Sequence, residues 1–236
     1  MRRNLISIML LLMPLWAQAA SFQVSPVRMT LSADHSTDVL RVTNGSDTPT
    51  VVQLQIVAWS QKDGEDVYTP SRNLLATPPI FTVTPGSQQV VRVGMRTQPG
   101  AKKETCYRLF LTEVPPAPTP GFRGVQIALR MGIPVFVDPA IDTKPTLQWS
   151  VKQLSSAELQ VRVTNIGNAH AQILKWELKS SDQSKVLAQV TGSYVLPAAS
   201  HTWIVKLAAP LAANTTLELN ADTDRGTLHA QLVLGK

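Results

Sequence analysis

The 236-residue sequence holds a single cysteine, Cys106, so no internal disulfide can form and core packing alone must hold the fold. No histidine stands near Cys106 in sequence and no nucleophile signature surrounds it, which makes it a small buried apolar residue rather than a catalytic thiol. His35, His170, His201 and His229 are far apart, without the H-x-H or H-E-x-x-H spacing that converges on a metal. Neither G-x-S-x-G nor a phosphate-cradling glycine loop occurs, and the acidic residues gather at turns, as in "QKDGED" (61–66). These absences argue against an enzyme and against a metal or other cofactor. Aromatic residues make up 6% of the chain and the basic residues are scattered singly, which is not a nucleic-acid footprint. Beyond the first twenty residues there is no apolar run of membrane-spanning length, so stable membrane insertion is not expected.

What is present begins with "MRRNLISIMLLLMPLWAQAA": a basic start, an apolar run and small residues at its end. This is the pattern of a secretory signal peptide spanning 1–19, with Ala17-Gln18-Ala19 as the cleavage motif and a cut after Ala20 as the alternative. Removing Arg2 and Arg3 with the leader takes two from the formal charge of +6 and leaves a mildly basic exported chain.

Helical periodicity is almost absent from the remainder. Runs rich in Val, Ile, Leu and Thr recur between clusters of Gly, Pro, Asn, Asp and Ser, the signature of an all-β protein. The first half reads as strands over 22–31, 39–44, 51–59, 74–80, 88–95, 106–114 and 124–137, the number found in an immunoglobulin-like sandwich. Asp63-Gly64 marks a hairpin turn. The second half reads as strands over 146–154, 159–165, 172–179, 186–195, 202–207, 216–220 and 227–234. Between the halves "DPAIDTKP" (138–145) carries two prolines that oppose strand pairing. The organisation expected is therefore two sandwich domains, over 20–140 and 141–236, joined by a short linker that restricts their angle.

The most distinctive stretch is "GVQIALRMGIPVFVD" (124–138), where apolar residues fall at Val125, Ile127, Leu129, Met131, Ile133 and Val135. A period of two sustained that far exceeds the five or six residues of an average strand. On period alone it reads either as an internal strand with its odd positions in the core, or as a row that covers something outside the domain. The preceding loop, "EVPPAPTPGF", holds four prolines that stiffen it and block pairing.

"FQVSPVRMTL" (22–31), "ATPPIFTVTPGSQQVVRV" (76–93), "YRLFLTEVPP" (107–116) and "QIALRMGIPVFVDP" (126–139), in that order, resemble the PapD-like pilus-assembly chaperones. The resemblance implies two Ig-like domains in a boomerang arrangement and a periplasmic chaperone without ATP or other cofactor. Such a protein binds pilus or fimbrial subunits by donor-strand complementation and passes them to an outer-membrane usher. It implies that Val125, Ile127, Leu129 and Met131 are the donor residues. It also implies that Arg28 anchors the subunit's C-terminal carboxylate, a task suited to a planar guanidinium. A second anchoring cation, ordinarily a lysine, aligns with Pro134, where a strand bulge is expected; Arg108 becomes the candidate in its place, with Arg130 behind it. "IPVFV" with "YRLFL" is similar to the archaic, spore-coat-type branch. At the interdomain contact Glu113 matches the family's acid, Asp138 stands where an arginine is expected, and Arg225 is the cation available to separate the two acids. Whether the free chain caps its donor row by dimerising, and which subunit it binds, stay open.

Two other classes fit less well. An exported Ig-like pilus component or adhesin would carry its own N-terminal donor extension and often a disulfide. A carbohydrate-binding module would cluster exposed aromatics, whereas Trp59, Trp149, Trp176 and Trp203 are dispersed through expected strands.

Overall fold

The computed structural model describes residues 22–100, 102–117, 121, 124–180 and 186–235; the expected leader lies outside these. Seventeen strands and no helix occur among the described residues. The first half contains β1 (Phe22–Ser25), β2 (Met29–Leu31), β3 (Thr37–Asn44), β4 (Thr50–Lys62), β5 (Glu65–Pro70), β6 (Leu74–Thr77), β7 (Ile80–Val83), β8 (Gln88–Met95), β9 (Thr105–Val114) and β10 (Arg130–Val137). They form a four-stranded sheet in the order β1-β3-β8-β6, facing a six-stranded one in the order β2-β10-β9-β4-β5, with β7 on β4. Leu40, Val42, Val91 and Val93 from the first sheet meet Leu109, Leu111, Ile133 and Val135 from the second in a buried core. This alternation of inward apolar and outward polar positions is what a two-sheet sandwich requires.

The second half contains β11 (Leu147–Ser155), β12 (Glu158–Asn165), β13 (Ala171–Ser180), β14 (Val186–Val195), β15 (Ser200–Lys206), β16 (Thr216–Thr223) and β17 (Gly226–Val233). Sheets β11-β12-β15 and β14-β13-β16-β17 pack around a core that includes Leu159, Val161, Ile173, Trp176 and Leu219. Trp149 stacks on Trp203 at 5.9 Å and Trp176 meets Trp203 edge-on at 5.3 Å, so these three tryptophans pack against one another in this sandwich.

Three expected strands differ in detail. The runs 22–31 and 74–80 each divide, because Pro26 and the Pro78-Pro79 pair interrupt pairing and the chain leaves one sheet for the other there. The run expected over 124–137 enters the ladder only at Arg130. β5 was not expected as a strand: all six of its residues are exposed, so no alternation marks it. The Asp63-Gly64 signal before it is realised, with both residues at positive φ (53° and 87°) as a two-residue hairpin turn demands.

An internal repeat becomes visible in the structure. The tetrapeptide Arg-Val-Thr-Asn occurs at 41–44 and 162–165, and each copy ends in a wholly buried asparagine. The Asn44 amide donates to Thr48 O and Val83 O, and that of Asn165 donates to Ala169 O and Val195 O. The side-chain oxygens accept from Ser46 N and Gly167 N. One side chain thus ties the same corner of each sandwich, satisfying backbone groups that burial would otherwise leave unpaired.

The linker is held by the corner after β12. Asn168 accepts from Lys144 N at 2.8 Å and donates to Asp142 O at 2.9 Å, while its carbonyl accepts from Glu104 N at 2.9 Å. Beside it a Cβ on Gly167 would lie 2.3 Å from Lys144 O and 2.8 Å from the Pro145 carbonyl carbon, so only glycine admits this approach. Gly167→Ala is expected to lower stability by about 1–3 kcal/mol, read as a fall in the urea midpoint; an unchanged midpoint would mean that the linker is not fixed at this corner.

Candidate binding edge and interdomain cleft

β10 is paired along its whole length on one side and along less than half of it on the other. β9 runs antiparallel to it from Arg130↔Thr112 to Val137↔Thr105. On the opposite edge β2 joins in parallel only over Val135↔Met29 to Val137↔Leu31. From residue 134 back towards 125 the outer edge therefore has no strand partner among the described residues. Unpaired backbone groups on an exposed apolar edge are a template for another chain.

The side chains of this segment grade from core to solvent. Ile133, Val135 and Val137 are in the sandwich core, Leu129 and Met131 are partly buried against its rim, and Val125 and Ile127 are 87% and 78% exposed. All seven share the parity of one strand face, so a single row passes out of the domain and continues into solvent. Leu129 is the tether at the junction: its carbonyl accepts from Glu113 N at 2.8 Å and its amide donates to Glu113 Oε2 at 3.2 Å.

Pro134 causes no bulge, contrary to expectation, since the ladder runs without a shift through Pro134↔Arg108. Leu129 O points to β9, and because backbone groups alternate sides, positions 130, 132 and 134 aim theirs at the open edge. The N–H that proline lacks is therefore withheld from the unpaired side, one residue before β2 begins.

Arg28 immediately precedes β2 and so stands where the open edge ends. Its Nη1 donates to Asp224 Oδ2 at 2.7 Å, from the turn between β16 and β17 of the other sandwich. Arg108, on β9, lies with its guanidinium carbon 3.8 Å from the centre of the Trp59 ring. Its Nη2 is 4.0 Å from Asp66 and its buried Nε has no hydrogen-bond partner. Both arginines act on Tyr194: burial raises that hydroxyl above its ordinary value, Arg28 and Arg108 oppose the rise, and Asp224 adds to it. The cleft thus brings together the two cations singled out from the sequence. Arg130 lies apart, over the Phe110 ring at 4.0 Å.

The interdomain contact includes residues beyond those expected. Glu113 is engaged with Leu129 of its own sandwich, and the acid that crosses is Glu104, buried just before β9. Both its oxygens face His170 Nδ1, at 2.9 and 2.8 Å, and Oε1 also accepts from His170 N at 3.1 Å. The His170 ring stacks on Phe136 at 3.5 Å and 5°. Around this pair Trp59, Cys106, Phe136, Leu196 and Ala199 form a small apolar core between the sandwiches. Gln61 adds two bonds across it, donating to Tyr194 O and accepting from Leu196 N. No signal in the sequence marked His170 as the partner of an acid 66 positions away. Cys106 donates to Glu104 at 3.3 Å, and burial pushes its thiol far above the ordinary range, which favours the neutral thiol of a buried packing residue.

Asp138 and Arg225 do meet electrostatically. Burial and the neighbouring Glu104 raise the Asp138 carboxyl, while Arg225 and His170 pull it down. A raised value means that the fold disfavours the ionised form, so the cost is present at neutral pH and is relieved as pH falls through the folded-state value. Asp138→Asn should therefore raise the urea midpoint at pH 7, and the advantage should vanish near pH ~4, within the ordinary carboxylate range. A variant no more stable than the natural chain at pH 7 would contradict this.

Comparison with known proteins agrees with the geometry. Residues 21–141 match the family described as Pili and flagellar-assembly chaperone, PapD N-terminal domain. The chain is 30% identical over 168 residues to the uncharacterized fimbrial chaperone YbgP of Escherichia coli K12, covering 69% of this chain and 64% of that protein. Among solved structures it is similar to one of the CsuC-CsuE chaperone-tip adhesion subunit pre-assembly complex from archaic chaperone-usher Csu pili of Acinetobacter baumannii. There the TM-score is 0.68, with 21% identity and coverage of 90% of this chain and 98% of that one. It is also similar to one of the Salmonella enterica SafA pilin in complex with the SafB chaperone, with TM-score 0.62, 18% identity and coverage of 90% and 97%. With more than half its length matched to the family, this chain belongs to the PapD-like pilus-assembly chaperones.

Proposed function

We propose that this protein is a periplasmic chaperone that binds pilus or fimbrial subunits by adding its 125–134 segment to them as a missing edge strand, and then yields them to an outer-membrane usher. The observation that carries this reading is the half-paired edge of β10, with its apolar row running into solvent at Val125 and Ile127 and its inner end stopped by β2 beside Arg28. A guest strand on that edge gains main-chain hydrogen bonds, and its groove receives alternate side chains. With its C-terminal carboxylate at Arg28, the guest must run in the same direction as β10, because Arg28 lies at the edge's C-terminal end. Arg108 acts as the second cation.

Of the four donor residues, Val125 and Ile127 supply most of the apolar gain. Burying them contributes roughly 3–6 kcal/mol gross, from about 1.5–3 each. Leu129 and Met131 already touch the domain and add less; they set the level at which the row leaves it. In the free protein a second copy could cover the same row, giving a self-capped dimer.

The reading is tested by periplasmic co-expression with a fimbrial subunit and recovery of the complex through a tag on the chaperone. Ile127→Asp and Arg28→Ala should each reduce recovered subunit at least about tenfold, equivalent to ~1.4 kcal/mol, without shifting the chaperone's own melting temperature. Full recovery with both variants would remove the edge and its anchor together.

A further inference from the structure

We propose that Asp224 is a built-in stand-in for the guest carboxylate: it occupies Arg28 in the free chaperone and moves onto His170 when a guest arrives. The proposal rests on the reading of Arg28 as the anchor and adds a competing group to it.

The geometry has the two positions that such a switch needs. In one, Asp224 Oδ2 holds Arg28 Nη1 at 2.7 Å, so the cation on which the edge ends is already engaged. In the other, His170 Nε2 waits 3.9 Å from the same oxygen, buried and without a hydrogen-bond partner. Nδ1 of that ring is taken by Glu104 and its face is pinned on Phe136, so the imidazole cannot turn to find a different partner. Buried polar atoms are seldom left unpaired, and this one has a carboxylate oxygen within 3.9 Å. In its imidazolium form the ring donates to Asp224 once the carboxylate has shifted by about 1 Å towards hydrogen-bond distance.

The rest of Asp224 is arranged for a small movement. Oδ1 accepts from Gln172 N at 3.0 Å, which keeps the carboxylate attached to its own sandwich while Oδ2 changes partner. The Arg28 side chain is 42% exposed and that of Asp224 13%, so the guanidinium can be reached from solvent while the carboxylate stays behind it. Anchoring is thereby coupled to the interdomain contact: a guest at Arg28 strengthens the Asp224–His170–Glu104 bridge, and an empty Arg28 loosens it.

The experiment is a titration of the 15N-labelled protein with sodium acetate at constant ionic strength, observing the Arg28 Nε–H and the His170 ring nitrogens. Acetate serves as a bare carboxylate. Asp224→Asn keeps an acceptor for Gln172 N and removes the competing charge; it should lower the half-saturating acetate concentration at Arg28 by about threefold to tenfold. In the natural chain His170 Nε2 should shift along the same curve, and in Asp224→Asn it should not. Asp224→Ser serves as a second variant if the first does not give a folded spectrum. Equal half-saturation in natural and variant chains, or a His170 signal that stays still while Arg28 saturates, overturns the role of Asp224 and leaves Arg28 as an anchor. Acetate that fails to reach Arg28 in every form overturns the anchor and this proposal with it.

Discussion

β2 pairs with three residues of β10 and stops, and that shortness governs the rest of the molecule. A longer β2 would complete the sheet edge and turn the row from Val125 to Met131 into an ordinary surface. As built, the edge leaves backbone without a strand partner and apolar side chains in solvent on the same stretch. Such an edge is normally a hazard, and the proline-rich connector before it and Pro134 within it limit what can pair there. The end of β2 also places Arg28, so the residue that would fix a guest's register is positioned by the element that defines where the guest must stop.

The second sandwich matters because of what it brings to that end. Glu104 and His170, stacked on Phe136, join the sandwiches through a buried pair, and Gln61 and Asn168 add neutral bonds around it. Two acids, Glu104 and Asp138, lie close enough for Asp138 to be raised, with Arg225 and His170 opposing the repulsion. A buried charge of this kind costs desolvation and is compensated only by good geometry, so it serves to set one interdomain arrangement more than to add stability. Asp224 links that arrangement to Arg28.

Much of the fold was legible because two-residue periodicity and turn chemistry are local. The strands of the second half were placed within a few residues, and Asp63-Gly64 was read as a hairpin whose positive φ values the structure reproduces. The misses have physical causes. Pro26 and Pro78-Pro79 were absorbed into long strands because apolar residues continue past them into a different sheet. β5 lacks a buried face and so lacks a pattern. Glu113 was expected at the interdomain contact because it matches the family's acid, whereas its carboxylate secures Leu129 and Glu104 does the crossing. The paired asparagines at 44 and 165 were visible as a repeated tetrapeptide and passed unread.

The sequence by itself determined that the chain is all-β, that packing without disulfides must hold it, and that one alternating apolar row outlasts an average strand. These follow from composition and from side chains that alternate along a strand whatever its surroundings. Only the tertiary structure decided where on the row the domain ends and solvent begins, because that depends on how far β2 extends along β10. It alone decided that Arg28 meets Asp224, 196 positions away, and that His170 closes on Glu104. Contacts of that range depend on how two sandwiches are set against each other, which no local pattern encodes.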